Sequence, residues 1–289
     1  MSSFTTNRPS SAMISYPSYL GDESLAEFIS LTYELTGISL NSEKRAMVYT
    51  RLLRRLRELE IPNFEDYLAL LRARDQKELE VFVNVMTTNL TYFFRETHHF
   101  DFLEETVIPA MYTARASTSP VRIWSAGCSS GEEAYSITMT LAAAGYADPG
   151  CYRLLCTDVN TEMVNRAEQG IYRTDAIRGL SNAHLRRYFD RISEEHHKIK
   201  PLYQSNILCK PLNLFDRWPF AVKVDVVFCR NVLIYFQDAQ QDALIKRFAE
   251  FQPEGGYLFL GHSETVRTIR RYYQRVGNTV FRRLATEAA

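Results

Sequence analysis

Apolar residues return every three to four positions through the first part of the chain, and this spacing predicts helices. Leu25, Phe28, Ile29, Thr32 and Leu35 share one side of a segment over residues 22–36, and Gly37 is placed to stop it. Ser42 is positioned to cap a second helix running to about Glu60, with Val48, Leu52, Leu56 and Leu59 inward. A third helix over 64–74 turns Tyr67, Leu68 and Leu71 inward, and a fourth carries Leu79, Phe82, Val83 and Met86. Residues 22–86 therefore form a small all-helical domain. Residues 1–21, rich in Ser, Thr and Pro at the start, are expected to be a flexible tail.

After Thr87 the periodicity changes. A helix is expected over 98–112 and a polar linker over 114–120. Short apolar strands follow at 121–125, 152–157, 224–229 and 256–261, separated by helices at 132–144, 160–170 and 238–251. A terminal hairpin over 272–284 turns at Gly277 and Asn278. Strands alternating with helices predict an α/β domain over 87–289 with a mostly parallel sheet covered on both faces. Its strand-loop-helix start is Rossmann-like.

Composition narrows the class. Among 289 residues, Lys+Arg and Asp+Glu are equal at 34 each, which argues against bulk nucleic-acid binding. No apolar run approaches the ~20 residues needed to cross a bilayer, and the N-terminus lacks a signal-peptide core, so a cytoplasmic protein is expected. The five cysteines form no Cys-x-x-Cys pair and suggest reduced, mostly buried thiols. The adjacent pairs His98-His99 and His196-His197 are expected to diverge, and no metal site is expected.

Five segments carry candidate chemistry. Thr87-Thr88-Asn89-Leu90-Thr91-Tyr92-Phe93-Phe94-Arg95-Glu96 mixes polar side chains, aromatics and a cation, as a pocket wall does. Gly127-Cys128-Ser129-Ser130-Gly131-Glu132-Glu133 joins the first strand to a helix. Its glycines let a ligand approach, and its carboxylates would repel a pyrophosphate but attract a cationic cofactor such as S-adenosylmethionine. The same glutamates also suit a helix's first turn. Asp158, at the end of the second strand, is placed either to bind ribose hydroxyls or to cap the next helix. Arg230-Asn231 and Tyr235 follow an apolar strand, where open α/β sheets place their sites, and Asn213-Leu214 is placed to cover an adenine ring.

Taken in order, TTNLTYFFRE, SAGCSSGEEAYS, Asp158, PLNL, CRNVLIYF and GHSE resemble the CheR family of chemotaxis receptor methyltransferases. The resemblance implies a class I methyltransferase domain with a small β-subdomain insertion at about 171–212, following the helical domain. It implies methyl transfer from S-adenosylmethionine to receptor glutamates, leaving S-adenosylhomocysteine, with contacts from Asn89, Thr91, Arg95, Glu132, Asp158, Asn213, Leu214, Arg230 and Asn231. Arg95 and Tyr235 would lie closest to the transferred methyl. The implied partner is the acidic helical bundle of a chemoreceptor's cytoplasmic part, docked through Arg51, Arg54 and Arg55, which also suit a solvated helix face. Residues 189–198 lack the glycine-containing loop with which some family members bind a receptor's C-terminal pentapeptide, so that tether is not expected.

Overall fold

The computed structural model describes residues 14–113, 119–148 and 150–285. The expected tail over 1–13 and most of the polar linker, 114–118, lie outside the described residues. Two compact units emerge. The smaller gathers the described residues up to Thr32 and those from Leu40 to Met86; the larger gathers Tyr33–Ser39 and the described residues from Thr87 onward.

The smaller unit is built from α1 (Asp22–Thr36) as far as Thr32, α2 (Arg45–Leu59), α3 (Phe64–Arg72) and α4 (Gln76–Met86). Its core centres on Phe28, whose ring lies 6.1–6.2 Å from those of Phe64, Tyr67 and Phe82. Buried Glu78 is held there by Arg55 at 2.5 Å and by the Tyr67 hydroxyl at 2.7 Å. That partnership keeps the Arg55 guanidinium firmly charged. Two expectations need correcting. Ser42 is no helix cap: it opens a 3-10 turn (Ser42–Lys44) leading into α2, and no side chain caps either element among the described residues. Residues 16–20 are not a free tail, because their aromatic and apolar side chains have surface to cover. Tyr16 and Tyr19 lie under Arg57 and Arg45, Tyr49 donates to the Pro17 carbonyl at 3.0 Å, and Leu20 is buried.

The larger unit begins with α5 (His98–Phe102), a π turn (Leu103–Val107) and α6 (Ile108–Thr113), together the helix expected over 98–112. Then come β1 (Val121–Ala126), α7 (Glu132–Ala143), β2 (Tyr152–Asp158) and α8 (Thr161–Gln169). An excursion follows: β3 (Ile171–Arg173), α9 (Asn182–Tyr188), β4 (Phe189–Arg191) and β5 (His196–Ile199). The chain returns through α10 (Pro201–Gln204), β6 (Ile207–Pro211), β7 (Val226–Cys229), α11 (Asp238–Phe251), β8 (Tyr257–Leu260), β9 (Tyr273–Gly277) and β10 (Val280–Arg283).

The main sheet runs β6-β2-β1-β7-β8-β10-β9. Its first five strands are parallel, and β10 and β9 are the antiparallel hairpin. Side chains alternate between two cores, as a strand covered on both faces requires. Ile123, Phe228 and Phe259 pack with α7 and α8, whereas Trp124, Val227 and Leu258 pack with α11. From β1 the chain first builds one side of the sheet, through β2 and β6, then returns to β7 and builds the other. The order therefore reverses between β1 and β7, and at such a point the loops part to leave a crevice at the strands' carboxyl ends.

The excursion forms a separate antiparallel sheet, β3-β5-β4. It covers Tyr135 and Met139 of α7 with Tyr172, Tyr188, Phe189 and Ile199. This insertion ends at Ile199, sooner than the expected 212, because 207–211 pairs in parallel with β2 and belongs to the main sheet.

Candidate active site

A cavity of about 300 Å³ opens at the β1/β7 crevice. Its walls come from the loops after β1, β2, β6 and β7, from 87–95, and from Thr36 and Ile38 of the 33–39 segment.

The loop after β1 turns on Gly127, whose φ of +88° is favourable for glycine; a Cβ there would sit 2.4 Å from the Val232 side chain. Its course is fixed by the Gly127 and Cys128 N–H groups, which donate to the Thr157 carbonyl at 2.8 and 2.9 Å. Ser129 N–H then donates to Asp158 Oδ2 at 2.9 Å, and Asn160 N–H to Asp158 Oδ1 at 2.9 Å. Burial pushes the Asp158 carboxyl up against the pull of these donors. The cap of α8 is Asn160, which accepts from Met163 N–H at 3.0 Å, so Asp158 is left facing the cavity. Glu132 turns elsewhere: its carboxylate takes the Ser130 hydroxyl at 2.7 Å, and Glu133 rather than Glu132 lines the cavity.

Beneath the cavity lies a buried charge cluster. The Arg230 side chain is 2 % exposed and stands 3.0 Å from Glu133 and 3.5 Å from Glu96. It also donates to the Arg95 carbonyl and lies over the Phe100 ring. Two carboxylates around one guanidinium satisfy the rule that a buried charge needs partners. Burial opposes ionisation of Glu96, but His262, Arg230 and the Asn231 amide hold its carboxyl down at about 2. Burial and the Arg230 charge push neighbouring His99 down to about 3, so its ring is neutral at pH 7.

The loop after β7 is organised by another residue. Asn231 sits at φ +60°, outside the usual range for a side-chain-bearing residue. The buried Glu264 carboxylate holds it there, accepting N–H bonds from Gly261 at 2.5 Å, Asn231 at 2.9 Å, and Val232 and Leu233 at 2.7 Å each. Burial pushes this carboxyl up while the four donors pull it down. An acceptor ringed by N–H donors is best matched by the ionised form.

At the mouth, Arg95 donates to the Leu90 carbonyl at 2.8 Å and lies 5.9 Å from the Tyr92 ring centre. Leu90, Tyr92 and Ile234 are exposed around it. Of the residues expected from the sequence, Asn89, Thr91, Arg95, Asp158, Asn213, Leu214, Arg230, Asn231 and Tyr235 all line this cavity. Sequence reasoning missed Glu96, Glu264, and the wall residues Thr36 and Ile38. Glu264 lies in the quoted GHSE segment; Glu96 ends the first quoted run.

Arg51, Arg54 and Arg55 lie in the smaller unit. Arg51 donates to the Met86 carbonyl at 2.6 Å, and Arg55 is committed to Glu78 and Glu58. Arg54, its side chain 84 % exposed, pairs with Glu58 at 3.0 Å. His98 and His99 do not diverge: their rings lie 4.2 Å apart, and with Glu96 they bring three possible ligand atoms within 4.8 Å of one another. His99 Nε2 is engaged with Asn278 and Thr279, and the Arg230 cation beside Glu96 disfavours a metal ion there.

Residues 89–282 match the family model "CheR methyltransferase, SAM binding domain", and 23–87 match "CheR methyltransferase, all-alpha domain". The chain belongs to the CheR methyltransferase family. It is 39% identical over 267 residues to a chemotaxis protein methyltransferase of Klebsiella aerogenes, covering 91% of this chain and 90% of that one. The Escherichia coli (strain K12) chemotaxis protein methyltransferase is 38% identical, with 91% of each chain covered. That of Borreliella burgdorferi is 34% identical over 85% of this chain and 89% of its own. The CheR assignment agrees with the architecture: an all-α unit and an α/β domain whose sheet ends in an antiparallel hairpin. It makes this chain a methyltransferase with an S-adenosylmethionine-binding domain. Among the described residues, no helix is long and apolar enough to cross a membrane.

Proposed function

We propose that this CheR-family methyltransferase esterifies glutamate side chains on the cytoplasmic helical bundle of a chemoreceptor. The observation that carries the reading is the cavity at the β1/β7 crevice, where Asp158, Glu133, Arg230 and the half-buried Arg95 converge. Asp158 takes the ribose hydroxyls of S-adenosylmethionine. The carboxylates near the loop after β1 suit the ammonium and sulfonium, and Leu212-Asn213-Leu214 faces the purine.

The chemistry asks little of acid-base groups. A free glutamate ionises near pH 4.3, so the nucleophile is already a carboxylate at pH 7. One oxygen attacks the methyl carbon, the carbon–sulfur bond breaks, and its electron pair stays on sulfur as neutral S-adenosylhomocysteine. Catalysis is then alignment and exclusion of water. Arg95 orients the incoming carboxylate at the mouth, and Tyr235 lines the methyl path. Neither serves as a base.

The protein works in the cytoplasm and approaches its acidic partner through the α2 face carrying Arg51, Arg54 and Arg55. Arg54 offers the exposed charge, and Arg55 frames the helix. Residues 192–195 make a short turn between β4 and β5 without glycine, which supports methylation independent of a pentapeptide tether. The test is transfer of labelled methyl from S-adenosylmethionine to a purified receptor cytoplasmic domain, then mild alkali. Alkali-labile label supports the carboxyl ester. Alkali-stable label, or none across a panel of receptors, overturns it.

A further inference from the structure

Charge is segregated along the last strands of the larger unit. Lys+Arg and Asp+Glu balance at 34 each over the chain, yet residues 265–285 hold six arginines and no Asp or Glu. Arg267, Arg270, Arg271, Arg275 and Arg282 are exposed. Arg283 is half-buried and donates to the Ala249, Tyr272 and Leu284 carbonyls. Asp242 of α11 reaches this stretch but takes the Thr268 hydroxyl at 2.7 Å. Among the described residues, no carboxylate forms an ion pair with any of the five exposed arginines.

One end of this band lies beside the cavity mouth. Arg275 donates to Asn278 Oδ1 at 3.3 Å, and Asn278 Nδ2 stands 3.4 Å from His98 Nε2, three residues past Arg95. The band then follows β9, the outer strand of the sheet, back to Arg271 and Arg270 in the 3-10 turn that precedes it (Ile269–Arg271). Arg282, opposite Gln274 on β10, widens it. The five residues of β9 span ~15 Å, which a helix rising ~1.5 Å per residue covers in about ten residues.

Charge on an edge strand also keeps copies from pairing edge to edge. Arg275 meets that need alone; Arg267, Arg270 and Arg271 precede the strand, and Arg282 lies on its paired neighbour. Side chains that would insert into a lipid interface or stack on bases are withheld, since Tyr273 is buried and Tyr272 and Phe281 are half-buried. A guanidinium fork instead matches a carboxylate through two parallel bonds. Of the three α2 arginines assigned to docking, only Arg54 is exposed, and it already pairs with Glu58.

We propose that the arginine band over 267–282 is a second docking surface for the acidic helical partner, holding a helix along the β9 edge while one of its glutamates occupies the cavity mouth. The inference rests on the receptor-glutamate reading above.

The test is methyl transfer by the full chain to a purified receptor cytoplasmic domain, with receptor concentration varied at saturating S-adenosylmethionine. Arg270→Glu/Arg271→Glu is expected to raise the receptor KM about tenfold at low salt, with kcat and the Kd for S-adenosylhomocysteine within about twofold of wild type. The difference should vanish at about 0.5 M salt, where exposed charges are screened within a few ångströms. Arg166→Glu/Lys210→Glu makes the same charge change on the opposite, β6 side of the sheet and should leave KM within about twofold. If the first variant does not fold, Arg270→Gln/Arg271→Gln reads the same surface at about threefold. An unchanged KM in a folded band variant, an equal rise in the β6-side variant, or a fall in kcat at constant KM overturns the proposal. A wild-type chain that methylated no receptor would instead overturn the receptor-glutamate reading, and the docking surface with it.

Discussion

Replacing Glu264 by Gln tests whether one buried carboxylate organises the catalytic loop. Its Oε2 accepts from Gly261 and Asn231, and its Oε1 from Val232 and Leu233. A glutamine keeps one oxygen and turns an NH2 group toward the other two N–H donors. Two bonds to a charged acceptor, each contributing ~1.5–3 kcal/mol, are lost with no water to replace them. The loss is roughly 3–6 kcal/mol, less than most of the ~5–15 kcal/mol range typical of a domain, so the variant is expected to stay folded at room temperature. Its melting point should fall by about 6–24 °C, taking ~2–4 °C per kcal/mol for a chain of this size. The same loop carries Arg230, Asn231 and Tyr235, and a shift of ~1 Å in such groups costs about a hundredfold in rate. Thermal unfolding and single-turnover methyl transfer at saturating cofactor measure the two effects. A melting point within about 2 °C of wild type, together with a rate within about twofold, would refute the reasoning.

Arg95→Ala should lower the single-turnover rate about ten- to a hundredfold at saturating cofactor without moving the melting point, since its guanidinium works at the cavity mouth; an unchanged rate removes its aligning role. Gly127→Ala should weaken S-adenosylhomocysteine binding at least about tenfold in calorimetry, because its new Cβ would meet Val232 and strain a φ of +88°. His99, held near pKa 3 when folded, ionises near 6.5 when unfolded, so the unfolded chain binds the extra proton and stability falls as pH drops from about 6.5 toward 3. His99→Gln should flatten that slope in urea titrations at about pH 7 and 5, above the range where Glu96 titrates. Arg55→Met should destabilise the smaller unit by ~3–5 kcal/mol, because Glu78 keeps its burial but loses its cation. Arg54→Ala should change stability by less than ~1 kcal/mol, as an exposed pair contributes little; equal losses in denaturant titrations would contradict this contrast.

The parts of the fold legible in the sequence are those with strong, long patterns. The amphipathic helices of the smaller unit and the apolar runs of β1, β2, β7 and β8 are buried on the faces their spacing predicts. β6 escaped detection because Ile-Leu-Cys-Lys-Pro is a short edge strand with Leu208 exposed, so its pattern is broken by solvent. The insertion strands are only three or four residues long. The loop after β1 was readable by its glycines, Arg230 and Asn231 by their place after an apolar strand. Glu264 was not, because its role exists only once β8 and the loop after β7 lie side by side. The 35–39 segment was hidden for a similar reason: in sequence it is the end of an ordinary helix, and only the fold brings it to Asn213.

The small β3-β5-β4 sheet is entered and left at almost one place. Ile199 N–H donates to the Gly170 carbonyl at 2.9 Å, directly after α8, where Gly170 turns the chain with φ +59°. Its two ends are thus pinned together, and the rest is a cassette whose outward residues can be exchanged without disturbing the register of the seven-stranded sheet. Outright removal is a different matter. It would strip the cover from Tyr135 and Met139 of α7, leaving a greasy flank on the very helix that follows the glycine loop. Swapping this cassette between relatives should therefore succeed where excising it fails.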